Sequence, residues 1–202
     1  MMFHRALSLA LLLLFSGTAL SETSSAEAAS SETTAHPTVT LHTSKGDIRI
    51  ELYPERAPVT VANFLNYARS GHYNGTIFHR VIKRFVIQGG GFDKDLFEKP
   101  TGDSIINEAK TAKMNNERWT VAMARTDDPN SARAQFFINL RMNLSLDARA
   151  GNPGYAVFGK VIEGQNVARD ISLSKTGQIA MFDDVPLEPI TINSVSIDEP
   201  AK

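Results

Sequence analysis

Punctuation constrains this chain more than anything else. From Thr38 to Ile197, runs of branched and aromatic residues are repeatedly cut short by Gly, Pro, Asn or Asp, leaving strand lengths and little room for long helices. Thr38–Thr43 and Asp47–Tyr53 alternate apolar with polar residues around Ser44-Lys45-Gly46, the pattern of a β-hairpin with glycine in its turn. Strand-like runs recur at Thr76–Ile82, Phe85–Gln88, Trp119–Ala124, Gln135–Leu140, Tyr155–Val161 and Pro189–Ile197. Helical spacing is confined to two places. Val61, Phe64, Leu65 and Ala68 give one apolar face to a helix from about Val59 to Arg69, stopped by Gly71, and a shorter helix fits Gln165–Ser172. Residues 92–118 are polar, weakly periodic and broken by Pro100 and Gly102, and read as a long loop. Loops of that length in compact domains usually serve function. Seven or eight strands with two helices over about 160 residues predict a mainly β chain, a closed antiparallel barrel capped by helices.

The strand pattern starts only at Thr38. Residues 1–20 place Arg5 ahead of an apolar run from Ala6 to Phe15 and then small residues, the layout of a cleaved signal peptide. That run of about 10 residues falls short of the ~20 that span a bilayer, so no stable membrane insertion is expected. Residues 21–37 are rich in Ser, Thr, Ala and Glu without a large apolar side chain, and predict a disordered tether. The expected organisation is signal peptide 1–20, tether 21–37 and folded domain 38–200, in the bacterial periplasm or an equivalent exported space. A monomer is the default for one domain of this size.

Several chemistries drop out. With no Cys there are no disulfides, thiolate metal sites or cysteine nucleophile. A formal net charge of −1 gives no global pull toward nucleic acid. Of the five His, at 4, 36, 42, 72 and 79, those beyond the tether share no metal-ligand spacing, and neither a metal nor a cofactor is expected. Gly89-Gly90-Gly91 lacks the Lys-Ser/Thr and helix start of a phosphate loop, and reads as a turn needing positive φ.

One segment joins charge to dense apolar surface: Phe78-His79-Arg80-Val81-Ile82-Lys83-Arg84-Phe85-Val86-Ile87-Gln88-Gly89-Gly90. It resembles the signature of the cyclophilin family of peptidyl-prolyl isomerases, Phe-His-Arg-x-Ile, two loop residues, then Phe-x-x-Gln-Gly-Gly. Ala122–Arg125 followed by Ala134–Ile138 resembles the family's second active-site strand pair, and Tyr155–Val161 its later core strand. The resemblance implies a closed eight-stranded antiparallel barrel with two capping α-helices and a site on its outer face. By position it implies Arg80 as the catalytic arginine and Gln88 as the polar partner that orients the substrate backbone. Phe85, Val86, Phe137 and Leu146 would form a proline pocket. Ala124, Arg125 and Gln135 would line the adjoining groove, with Tyr155 at the family's usual aromatic or His position. The implied partners are proline-containing segments of folding proteins.

Elementary physics accounts for these residue types. Amide resonance sets a rotation barrier of ~18–20 kcal/mol, and a turnover near 10³ s⁻¹ requires about 13. No bond breaks, so neither nucleophile nor metal is needed. A guanidinium donating to the prolyl nitrogen favours the deconjugated form that exists only in the twisted state. Each residue also has a plainer reading: Arg80 as a surface charge, Gln88 and Gln135 as surface amides, Phe85 as core. Strand alternation sends Phe136 and Phe137 to opposite faces, so one of them is core. His79 and Trp119 read as structural. A proline-binding chaperone with little turnover is the alternative function, and a lipocalin-type ligand carrier would need an open lumen that the Phe-rich strands fill.

Three positions depart from the family pattern. Lys83-Arg84 stands where many relatives carry Pro-Gly, Val86 where Met is frequent, and Ser145 where a Trp or Phe often contacts cyclosporin. Weak cyclosporin binding is the expected consequence.

Overall fold

The computed structural model describes residues 36–198. The expected signal peptide and nearly all of the tether lie outside the described residues. The first two strands, β1 (Thr38–Thr43) and β2 (Gly46–Leu52), form the hairpin read from the sequence, with Thr43 opposite Gly46. Gly46 adopts φ of 120°, a conformation that glycine takes without strain. Alternation does the rest: Val39, Leu41, Ile48, Ile50 and Leu52 are fully buried while Arg49 and Glu51 face outward.

Helix α1 (Pro58–Arg69) begins with Pro at its first turn and buries Val61, Phe64, Leu65 and Ala68. Phe64 sits against Tyr73, Phe136 and Phe158 at ring-centroid distances of 5.0–5.5 Å. Ala57 cannot cap the helix with its side chain. Instead, buried Glu108 accepts from the Thr60 amide at 2.7 Å, the Thr60 hydroxyl at 2.7 Å and the Val59 amide at 3.2 Å. A carboxylate at this end meets both unpaired N–H groups and the positive end of the helix dipole. Part of the 92–118 segment therefore serves the fold.

The next strands are β3 (Thr76–Ile77), β4 (Arg80–Ile82) and β5 (Val86–Gly89). A one-turn helix α2 (Ala109–Ala112) lies within the 92–118 segment. Strands β6 (Thr120–Met123) and β7 (Phe136–Asn139) follow, then a 3-10 turn at Leu144–Leu146, β8 (Val157–Glu163) and helix α3 (Gln165–Ser172). A hairpin of β9 (Thr176–Ile179) and β10 (Phe182–Pro186), absent from the sequence reading, precedes β11 (Thr191–Asp198).

The sheet corrects the expected closed eight-stranded barrel. Among the described residues, nine strands form one curled, open sheet in the order β3-β11-β1-β2-β8-β6-β7-β5-β4, and β9-β10 form a separate two-stranded ribbon. The edges are β3 and β4, which the sequence reading joined in a single run, Thr76–Ile82. Phe78 and His79 leave the ladder between them, and the Phe78 amide donates to the Ile190 carbonyl at 2.9 Å. Chain continuity links the two edges; no hydrogen-bonded ladder does. Two full helices occupy the expected segments, and α2 adds one turn.

The main core fills the concave side, with Phe64, Tyr73, Phe78, Phe136 and Phe158 fully buried. A smaller apolar cluster of Val86, Ala122, Phe137 and Val157 lies apart from it. No helix among the described residues is long and apolar enough to cross a membrane.

Candidate active site

The second cluster follows from strand register. On β5, Ile87 enters the main core, so Val86 and Gln88 point the other way. On β7, Phe136 and Ile138 are core residues and Phe137 takes the opposite face. Gln88 pairs with Phe137 across β5 and β7, and Phe137 with Ala122 across β7 and β6. Arg80 lies directly opposite Gln88 on the edge strand β4. Its side chain stands on the same face of the sheet as Gln88 and is half-buried.

Nine residues surround a hollow of about 270 Å³: Arg80, Phe85, Val86, Gln88, Ala124, Arg125, Phe137, Leu146 and Tyr155. These are nine of the ten sequence-predicted site residues. The tenth, Gln135, lines an adjoining cleft of about 350 Å³ that shares Gln88, Ala124 and Arg125 with the first. Phe85, Phe137, Leu146 and Tyr155 form the apolar wall, with the Phe137 and Tyr155 rings edge to face at 5.5 Å. Arg125 stacks 4.4 Å over the Tyr155 ring, and its Nε donates to the Gly154 carbonyl at 3.0 Å. Its charge is thereby held against the wall.

A polar line crosses the rim. Arg80 Nη1 donates to Gln88 Oε1 at 3.3 Å, and Gln88 Nε2 donates to Gln135 Oε1 at 3.0 Å. Gly91 makes room for this arrangement, because a Cβ there would lie 2.5 Å from Gln135 Cγ. Arg80 is half-buried and forms no ion pair among the described residues. Its side chain borders the hollow beside the apolar Phe85, Val86, Phe137 and Leu146. His79, the preceding residue, is 4% exposed and packs edge-on to Phe92 at 4.7 Å. Burial holds its pKa down to about 4, so beside Arg80 it is a neutral ring.

The match to known proteins decides the family. Residues 38–197 fit the model described as cyclophilin type peptidyl-prolyl cis-trans isomerase. The chain belongs to the cyclophilin family. It is an isomerase of that family, and its relatives carry that name. A peptidyl-prolyl cis-trans isomerase of Streptomyces antibioticus is 53% identical over 163 residues, 79% of this chain and 98% of that protein. Isomerase B of Escherichia coli K12 is 48% identical over 165 residues, 80% of this chain and 99% of that protein. Among solved structures, a Cryptosporidium parvum cyclophilin crystallised in the presence of the dipeptide Ala-Pro matches with TM-score 0.66 and 28% identity. That match covers 81% of this chain and 99% of the other.

Sequence reasoning missed the support behind this cyclophilin's site. Three buried amides form a chain: Asn139 Nδ2 donates to Asn116 Oδ1 at 3.1 Å, and Asn143 Nδ2 to Asn139 Oδ1 at 2.7 Å. Asn143 also donates to the Phe85 carbonyl at 3.1 Å, and Asn116 to the Leu146 carbonyl at 3.0 Å. Asp147 Oδ1 accepts from the Asn116 amide at 2.6 Å. Two walls of the hollow, Phe85 and Leu146, are thus tied to one network that the end of the 92–118 segment enters through Asn116. No local spacing announces it, because Asn116 lies 23 residues from Asn139 and 30 from Leu146.

Proposed function

We propose that this cyclophilin accelerates rotation about Xaa-Pro bonds in exported polypeptides, with the pyrrolidine ring seated in the 270 Å³ hollow beneath Arg80. The carrying observation is that an arginine with no carboxylate partner among the described residues borders the same hollow as Phe85, Val86, Phe137 and Leu146. The ring is held by apolar walls while the acyl side turns. As the amide twists, its nitrogen becomes pyramidal and gains a lone pair, and an Arg80 N–H donates to it. That bond is absent from the planar ground state, so it lowers the barrier selectively. Gln88, braced by Gln135, orients both Arg80 and the substrate backbone. Ala124, Arg125 and Tyr155 shape the groove that receives neighbouring substrate residues. Arginine suits the role because it stays charged at every working pH.

The test is catalysed cis/trans exchange of a proline tetrapeptide. Wild type accelerates exchange, and Arg80→Ala loses roughly 10²- to 10³-fold in kcat/KM while remaining folded. Binding of the peptide by both proteins without acceleration by either would instead make this a proline-holding chaperone.

Export is supported by the pattern of residues 1–20, and an energy-independent folding catalyst suits a compartment without ATP. Mass spectrometry of protein recovered from the periplasm should find a new N-terminus between about residues 20 and 30. A retained Met1 on the exported protein would refute cleavage.

A further inference from the structure

Phe85 borders two cavities. Beyond the hollow just described, it also lines an open cleft of about 540 Å³ with Lys83, Arg84, Arg118, Leu140 and Arg141. Four of these six residues are cations, and no carboxylate is among them. None of the four forms an ion pair among the described residues. Two are held in place: Arg118 stacks 4.5 Å over the Trp119 ring, and Arg141 Nε donates to Asn143 Oδ1 at 3.0 Å.

The turn that carries the other two is built at a cost. Phe85 N donates to the Ile82 carbonyl at 3.0 Å, which closes a four-residue turn with Arg84 third at φ of 61°. That position favours glycine, and an L side chain there is strained. A cationic side chain is kept where the backbone would prefer none. Such a compromise points to use of the side chain.

The two sides of the proline hollow differ in charge. The cleft reached through Gln88, Ala124 and Arg125 mixes Glu98 with Arg125 and Arg133. The one reached through Phe85 is purely cationic. A polypeptide seated in the hollow and running past Phe85 lays its next side chains over this cleft.

We infer that the Lys83–Arg84–Arg118–Arg141 cleft binds acidic side chains of the client polypeptide, selecting Xaa-Pro sites with carboxylates on one side of the proline. This rests on the hollow being the proline site. Exposed charge pairs are individually weak and screened by salt, so the effect is modest and dependent on ionic strength.

The experiment uses the full chain and three proline peptides: one with Glu-Glu before the proline, one with Glu-Glu after it, and a Gln-Gln parent. At low salt, one Glu placement should raise kcat/KM roughly three- to tenfold over the parent. The gain should fall below about twofold in ~0.5 M salt and in the exposed double substitution Lys83→Gln/Arg84→Gln. The parent should be turned over equally by both proteins. Equal gains for both placements, no gain, or a gain that survives the substitution would overturn the inference while leaving the isomerase reading intact. Failure of wild type on the Gln-Gln parent would remove both. Vesicles containing phosphatidylglycerol should not sediment with the protein. Salt-sensitive sedimentation lost in the double substitution, without peptide discrimination, would assign the cleft to an anionic membrane surface and overturn the inference.

Discussion

Lowering the pH should destabilise this protein in large part through the imidazole of His79, with His72, whose pKa burial also lowers, acting in the same direction. His79 lies between the edge strands β3 and β4, 4% exposed, with its ring against Phe92 and its Nδ1 without a hydrogen-bond partner among the described residues. Burial is the largest influence on its pKa, a hydrogen bond to the Ile77 backbone opposes it, and the Arg80 charge lowers it further, to about 4. An unfolded chain would titrate the same ring near 6.5. Between these values the unfolded state binds a proton that the folded state refuses, so stability rises with pH across the window. The contribution is fully present above about pH 6.5 and is lost as pH falls toward 4. At ~1.4 kcal/mol per unit, the loss is about 2 kcal/mol by pH 5 and about 3 below pH 4. Carboxylates titrate in the same range, so the informative quantity is a difference. Urea denaturation of wild type and His79→Leu should be compared from pH 7.5 to 5, with unchanged slopes confirming the same transition. Wild type should lose about 2 kcal/mol relative to the variant over that span. Parallel stability profiles would refute the reasoning, because a histidine paired or hydrated in the folded state would titrate normally.

Other expectations concern residues that position the fold and the site. Glu108→Gln keeps the shape of the remote cap of α1 but removes its charge, and should lower the urea-derived stability by about 1–2 kcal/mol. Gly91→Ala places a methyl 2.5 Å from Gln135 Cγ and displaces the amide that braces Gln88. Roughly tenfold should be lost from kcat/KM in the tetrapeptide assay, with little change in the melting temperature. Ser145 is exposed on the Leu144–Leu146 turn that supplies one wall of the hollow. Wild type should resist sub-micromolar cyclosporin, and Ser145→Trp should tighten inhibition by roughly tenfold through added aromatic contact.

What could be read from the sequence was whatever strand register controls. A period of two separates Phe136 from Phe137, while the resemblance to the cyclophilin signature, not alternation, singled out Val86, Gln88 and Phe137; the structure sets these three on the face opposite Ile87, Phe136 and Ile138. The helices at Pro58–Arg69 and Gln165–Ser172 were equally accessible, since each buries one stripe. The β9-β10 ribbon was not accessible: Thr176–Ile179 is largely exposed, so no buried face imposes alternation on it. Open or closed sheet also could not be read, because the answer depends on Phe78 and His79 leaving the ladder for Ile190 and Phe92, more than a hundred residues away in one case.

The site divides along the same line. Its surface comes from register, and its rigidity comes from side chains distant in sequence. Asn116, Asn139 and Asn143 look like loop amides, yet all three are buried, and together they fix the Phe85 and Leu146 carbonyls. A pocket that must grip a small ring while the neighbouring amide rotates needs walls that do not yield, and apolar contact alone leaves a two-sided wall free to shift. Buried, mutually satisfied amides resist that motion because any displacement strands a polar group away from water, at about 1–3 kcal/mol each. Under the proposed function, Asn116 is therefore a positioning residue that the 92–118 segment contributes, holding the Phe85 and Leu146 walls at a fixed separation through Asn139 and Asn143.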